Sequence, residues 1–176
     1  NYDDEVTKKI TGLMNGSETE INISPQKVYN VTPGGSSFDI KNIGPGDVLM
    51  YNSNSAGELS VYAMIYTDSA DSNSLRQLTN WGNGMGYTRE CSAWHGYVRY
   101  KSDKALTIEY DGKTVPAQVT NKNNVFVYKV NRSYRTVETA SYGDIAATNY
   151  YTGKRGSEVV MRSNRNGVVE VIIYED

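Results

Sequence analysis

Few residues in this chain have the types and spacing that chemistry needs. Cys91 and His95 are its one cysteine and one histidine, four positions apart. A thiol–imidazole pair at that spacing meets only on a helix, whereas Gly96 and the surrounding Tyr and Val residues favour a strand or loop. The reading is therefore a buried thiol and a surface imidazole. A lone histidine without an HExxH or HxH pattern supplies no histidine-rich metal site, and one cysteine excludes an intrachain disulfide and a thiolate zinc site. Asp68, Asp71 and Asn73 form an acidic loop, but their spacing is not that of a calcium-binding helix–loop–helix. Gly82-Asn83-Gly84-Met85-Gly86 imitates a phosphate-binding loop without a helix behind it to aim its amides, and reads as a turn. Paired carboxylates of the glycosidase kind stay open, because a fold can bring any two of 20 acids together. No metal and no cofactor is expected.

A denser constellation lies between residues 76 and 97. Arg76-Gln77-Leu78-Thr79-Asn80-Trp81 is followed by glycines, then Tyr87-Thr88-Arg89, then Trp94-His95-Gly96-Tyr97, and the stretch holds both tryptophans. Aromatic rings interleaved with Asn and Arg suit a sugar-binding surface, where a pyranose lays its C–H face on a ring and its hydroxyls bond to polar neighbours. Trp81, Tyr87, Arg89, Trp94 and Tyr97 are the candidate contact residues, with His95 as a polar rim. The alternative for either tryptophan is a place in the core.

The elements that must carry these residues read as β. Tyr2, Val6, Ile10 and Leu13 recur at near-helical spacing behind Asp3, Asp4 and Glu5, so residues 1–16 predict one short amphipathic helix or stalk end, closed by Asn15-Gly16. Beyond Gly16, short extended runs alternate with turn residues. Strands are predicted at 27–31, 37–40, 48–52 and 58–66, the last with Leu59, Val61, Ala63 and Ile65 toward a core and Ser60, Tyr62, Met64 and Tyr66 on an amphipathic face. Hairpins follow at 105–110 with 113–118, turning on Asp111-Gly112, and at 158–162 with 168–174; a strand at 124–130 lies between them. The expectation is an all-β fold, an antiparallel sandwich or small barrel, with residues 17–176 as one head or as two lobes dividing near 101–104.

Composition agrees with such a body. A chain of 176 residues suffices for one domain with its own core. Its 15 Tyr stand against 2 Phe and 2 Trp, among many Asn, Ser, Thr and Gly, which suits half-buried strand positions and exposed contacts. With 18 basic and 20 acidic residues the net charge is −2, against a protein that holds nucleic acid by its phosphates. No apolar run is long enough to span a bilayer as a helix, so membrane insertion is not expected. The start at Asn1 suggests a processed or excised portion of a longer product.

The succession Asn42-Ile43-Gly44-Pro45-Gly46, Val48 to Tyr51, Leu59 to Tyr66, Gln77-Leu78, Tyr87-Thr88-Arg89 and Trp94 to Tyr97 resembles the small β knob domains of bacteriophage tail fibres. The likeness spans residues 37–100, and Tyr97 stands where that pattern closes with a second tryptophan. It implies a structural or adhesive fibre module without enzymatic activity, often a trimer, on a virion or outside the cell. Its partners would be a host-surface glycan or protein receptor, copies of itself or other virion proteins. A carbohydrate-binding module of a secreted glycan-degrading protein is the alternative. A secreted eukaryotic surface protein is a third reading, since Asn15, Asn22, Asn30 and Asn131 open glycosylation sequons.

Overall fold

The computed structural model describes residues 8–32, 37–68, 78–79, 91–110 and 112–176. Within them the chain is mostly β, in three sheets. In chain order the strands are β1 (Lys9–Met14), β2 (Ser17–Asn22), β3 (Tyr29–Asn30), β4 (Val48–Ser53), β5 (Leu59–Tyr66), β6 (Leu78–Thr79), β7 (Cys91–Lys101), β8 (Ala105–Tyr110), β9 (Lys113–Gln118), β10 (Phe126–Asn131), β11 (Thr136–Ala140), β12 (Glu158–Asn164) and β13 (Gly167–Glu175).

The amphipathic helix expected in residues 1–16 is not seen; residues 1–7 lie outside the described ones, and residues 9–14 are a strand. Asn15 and Gly16 both take positive φ, 50° and 80°, which makes the two-residue turn whose twist matches a hairpin, so β1 folds back on β2. Spacing alone misled here. Ile10 and Leu13, three apart, share one side of a helix but fall on opposite faces of a strand. Each finds a different cluster: Ile10 packs with Ile21 near Ile23 and Leu59, and Leu13 packs against Tyr128 and Val130.

The smaller body sheet has the order β3-β5-β4, with β3 parallel and β4 antiparallel to β5. β5 pairs along both edges, and residues packed on each side cover both its faces. Tyr62 and Met64, expected on an amphipathic face, are buried with Leu59, Ile23 and Ile40, while Ile65 packs on Ala93 of the other sheet. The strand expected at 37–40 is instead a lead into a 3-10 turn at Ile40–Asn42, whose start Asp39 caps by accepting from the Lys41 amide at 2.9 Å.

The larger sheet runs β11-β10-β13-β12-β7-β8-β9, with β6 also on β7. Both predicted hairpins are present: β8–β9 across Asp111-Gly112, and β12–β13 across residues 165–166. Lys101 ends β7 and pairs with Leu106, and residues 102–104 connect β7 to β8. One face closes over Val98, Leu106, Ile108, Val127, Val159, Met161, Val171 and Ile173. Its curl brings the end of β9 to the β12–β13 turn, where the Thr120 hydroxyl donates to the Asn166 carbonyl at 2.6 Å. The other face carries Tyr128, Val130, Val160, Ile172 and Tyr174 against Leu13, Val48 and Tyr66. Alternation thus gives β13 two cores, with Val171 and Ile173 in one and Ile172 and Tyr174 in the other, and each fully buried side chain contributes roughly 1.5–3 kcal/mol.

Candidate attachment surface

Strand β7 holds three of the six residues singled out in the sequence, and its alternation separates them. Trp94 turns into the Val98–Ile173 cluster, half-buried, with Tyr110 edge-on at 6.0 Å. His95 and Tyr97 lie on the opposite face of the sheet. Trp81, Tyr87 and Arg89 lie outside the described residues. Trp94 is therefore brought together with neither His95 nor Tyr97, and its ring serves the core. Trp94→Ala is expected to lower stability by about 2–3 kcal/mol, read as a drop in urea midpoint at unchanged slope. A midpoint within experimental error of the wild type would remove Trp94 from the packing account.

His95 corrects a second expectation: it is 8% exposed, not a surface or rim imidazole. Its Nε2 lies 2.8 Å from Glu158 Oε1, and Cys91 stands about 13 Å back along the extended strand by the ordinary rise per residue. Glu158 in turn takes both terminal nitrogens of Arg132, at 2.8 and 2.7 Å, and the Arg132 Nε and Nη2 donate to Asp68 at 2.8–3.1 Å. The Tyr66 hydroxyl donates to the same Asp68 at 3.0 Å, the Asp68 amide donates to Asp47, and the guanidinium sits 5.0 Å over the Tyr174 ring. This seam stands where the end of β5 meets β7, β10, β12 and β13, so one arginine ties the two body sheets together.

The charges of the seam are mutually fixed. Burial alone would raise the Glu158 carboxyl, but hydrogen bonds from Arg132 and His95 outweigh it and hold the group down at about 2. Burial and the Asp68 charge push the Tyr66 hydroxyl well up, and bonds to Glu158 and Asp68 raise Arg132 further above its ordinary value. The Glu158 value lies below the ordinary 4.5, so its ionised form favours the fold: the stabilisation is complete above about pH 5 and is lost as pH falls through about 2. It amounts to about 3 kcal/mol at neutral pH. Urea midpoints of the wild type should fall steeply between pH 5 and 2, and those of Glu158→Gln should fall less. Parallel profiles would contradict the assignment. Chemically, the low Glu158 value keeps that group ionised at neutral pH, the wrong form for the general acid of a glycosidase pair. Asp68, the described member of the acidic loop, is bonded to Arg132, and Asp71 and Asn73 lie outside the described residues. Among the described residues no group of three His, Cys, Asp or Glu is placed to hold a metal ion.

Tyr97 leads outward instead. The Arg155 guanidinium covers its ring at 4.3 Å, and Arg99 Nε donates to the Tyr150 hydroxyl at 2.9 Å. Both partners come from the loop between Ala146 and Ser157, whose only buried residue is a glycine, Gly156. A loop without apolar anchors is held here by hydrogen bonds to β7. The Thr148 amide and hydroxyl both donate to the Val98 carbonyl at 3.0 Å, and the Val98 amide donates to Ser157. Ser157 and Ala146 bond each other twice, and the Asn149 amide donates to Lys154 at 2.8 Å. Asn149 Oδ1 then caps the tip by accepting from the Tyr151 and Thr152 amides. The result is a fixed turn that displays Tyr150, 67% exposed, and Tyr151, fully exposed. The signal for this loop in the sequence is the Tyr150-Tyr151 pair set between Asn149 and Gly153 and followed by Lys154-Arg155.

Family models, curated proteins and solved structures were compared with the chain, and none of the three comparisons finds a match.

Proposed function

We propose that the chain is a non-enzymatic attachment head of a viral fibre or other virion projection, resembling phage tail-fibre knobs, which meets a glycan or protein on a host surface. The observation that carries this reading is the loop at 146–157, where hydrogen bonds rather than burial fix a pair of outward tyrosines beside cations. Rings held in place before contact lose little entropy on binding, which is how an adhesive surface gains affinity. The commitment of Asp68 and Glu158 to Arg132 supports a structural rather than a hydrolytic use of the acids at the sheet junction. We read the stacked body sheets as a sandwich, with the larger sheet curled over a second core.

A carbohydrate-binding module is the second reading, favoured by the exposed Tyr150 and Tyr151 rings, on which a sugar can stack. Assembly separates the two. Sedimentation of the chain at micromolar concentration is expected to give a trimer; a monomer that binds soluble polysaccharide would overturn the fibre reading in favour of the module.

A further inference from the structure

We infer that the 146–157 loop and the adjoining stretch of β7 form a binding site for an anionic saccharide, a pyranose carrying a carboxylate or phosphate, with Tyr151 as its stacking face and Arg155, Lys154 and Arg99 as its anion contacts. The inference rests on the attachment reading and names the ligand chemistry. Arg99, Lys154 and Arg155 belong to this loop and strand and form no salt bridge among the described residues; of the two acids that stand across from Tyr97, Glu158 is engaged by Arg132, which leaves Glu109 against three cations in a chain of net charge −2. A local surplus of positive charge raises the concentration of anions beside it. The two arginines are also held in defined places. Arg155 is stacked on Tyr97, and Arg99 is anchored through Nε to the Tyr150 hydroxyl, which leaves its terminal nitrogens to face a ligand. A planar guanidinium matches the two oxygens of a carboxylate or phosphate.

The fully exposed Tyr151 ring fits a sugar better than a protein. A protein partner needs about 800 Å² of contact per side around a buried centre, whereas this site is one short turn displaying two rings. Stacking beside cations also suits single-stranded nucleic acid, but such binding relies on many phosphate contacts, which three cations on a negative chain do not supply.

The test titrates the full chain with four probes at low salt: an oligogalacturonate, a phosphorylated mannan, the unphosphorylated mannan and an oligothymidylate. The two anionic saccharides should bind at least about tenfold more tightly than the neutral mannan, with preference between them reporting carboxylate or phosphate. Tyr151→Ala should weaken both about tenfold or more while leaving the unfolding midpoint in place, because the ring has no burial to lose. Arg155→Met should abolish the preference for the anionic over the neutral mannan. Equal binding of neutral and phosphorylated mannan would overturn the anion contacts and leave the attachment reading standing. Tyr151-dependent binding of the oligothymidylate in preference to every saccharide would overturn the saccharide assignment. Binding of none of the four would overturn the inference, and the attachment reading is then judged separately by sedimentation and by adhesion of the labelled chain to host cells.

Discussion

Arg132→Met is expected to lose about 3–5 kcal/mol of stability at pH 7, a large share of what a domain of this size holds. The reason is what the substitution leaves behind. Asp68 and Glu158 have side chains only 10% and 18% exposed, and both face the space the guanidinium fills. Without it two buried carboxylates face each other with only His95 left on Glu158 and the Tyr66 hydroxyl on Asp68, and the Tyr174 ring loses the cation above it. Adding Glu158→Gln to Arg132→Met should restore part of the loss, since one buried charge is then removed and its amide can still meet His95. Urea unfolding of the two single variants and the double variant gives the coupling directly. If Arg132→Met changed stability by less than about 0.5 kcal/mol, the seam would have no part in joining the sheets.

Gly156→Ala should have the opposite profile, with contact at the loop lost and the body retained. A Cβ on Gly156 would run into the Val98 carbonyl and stand 2.8 Å from both the Ala146 carbonyl oxygen and the Thr148 amide. All three are backbone atoms, so no side chain can swing aside and the loop must leave β7. The stability cost is about 1–2 kcal/mol, since the segment buries no apolar side chain. Amide exchange at Asn149 and Ser157 should quicken and binding to the anionic saccharides should fall at least about tenfold, while amides of β12 and β13 keep their protection. Unchanged exchange in the loop would show that the chain there yields without detaching.

These two sites were unequally visible in the sequence. Hairpins β8–β9 and β12–β13 could be read because alternation and turn residues are local signals, and Asp111-Gly112 marks its turn unambiguously. Asn15-Gly16 is equally local but serves both a helix end and a hairpin, and the helical spacing of Ile10 and Leu13 favoured the wrong one. The seam was invisible for a different reason. Asp68 stands 64 residues from Arg132, and Glu158 stands 26 from it and 63 from His95, so only the stacking of the sheets brings them together. Of the three described candidate residues of the aromatic segment, Tyr97 lies beside the displayed loop; strand alternation sends Trp94 to the other face, while His95, on the same face as Tyr97, is covered by Tyr66 and joined to Glu158.

The position of β13 bears on how the molecule is made. It lies between β10 and β12, pairing with β10 in parallel and with β12 in antiparallel fashion, and its Tyr174 hydroxyl reaches back 128 residues to the Gly46 carbonyl. A growing polypeptide on the ribosome therefore has two unfilled edges, one on β10 and one on β12, until Gly167–Glu175 emerges. Acquisition of the native state must wait for nearly the entire described chain, and until then those bare edges are open to chaperones or to neighbouring nascent copies.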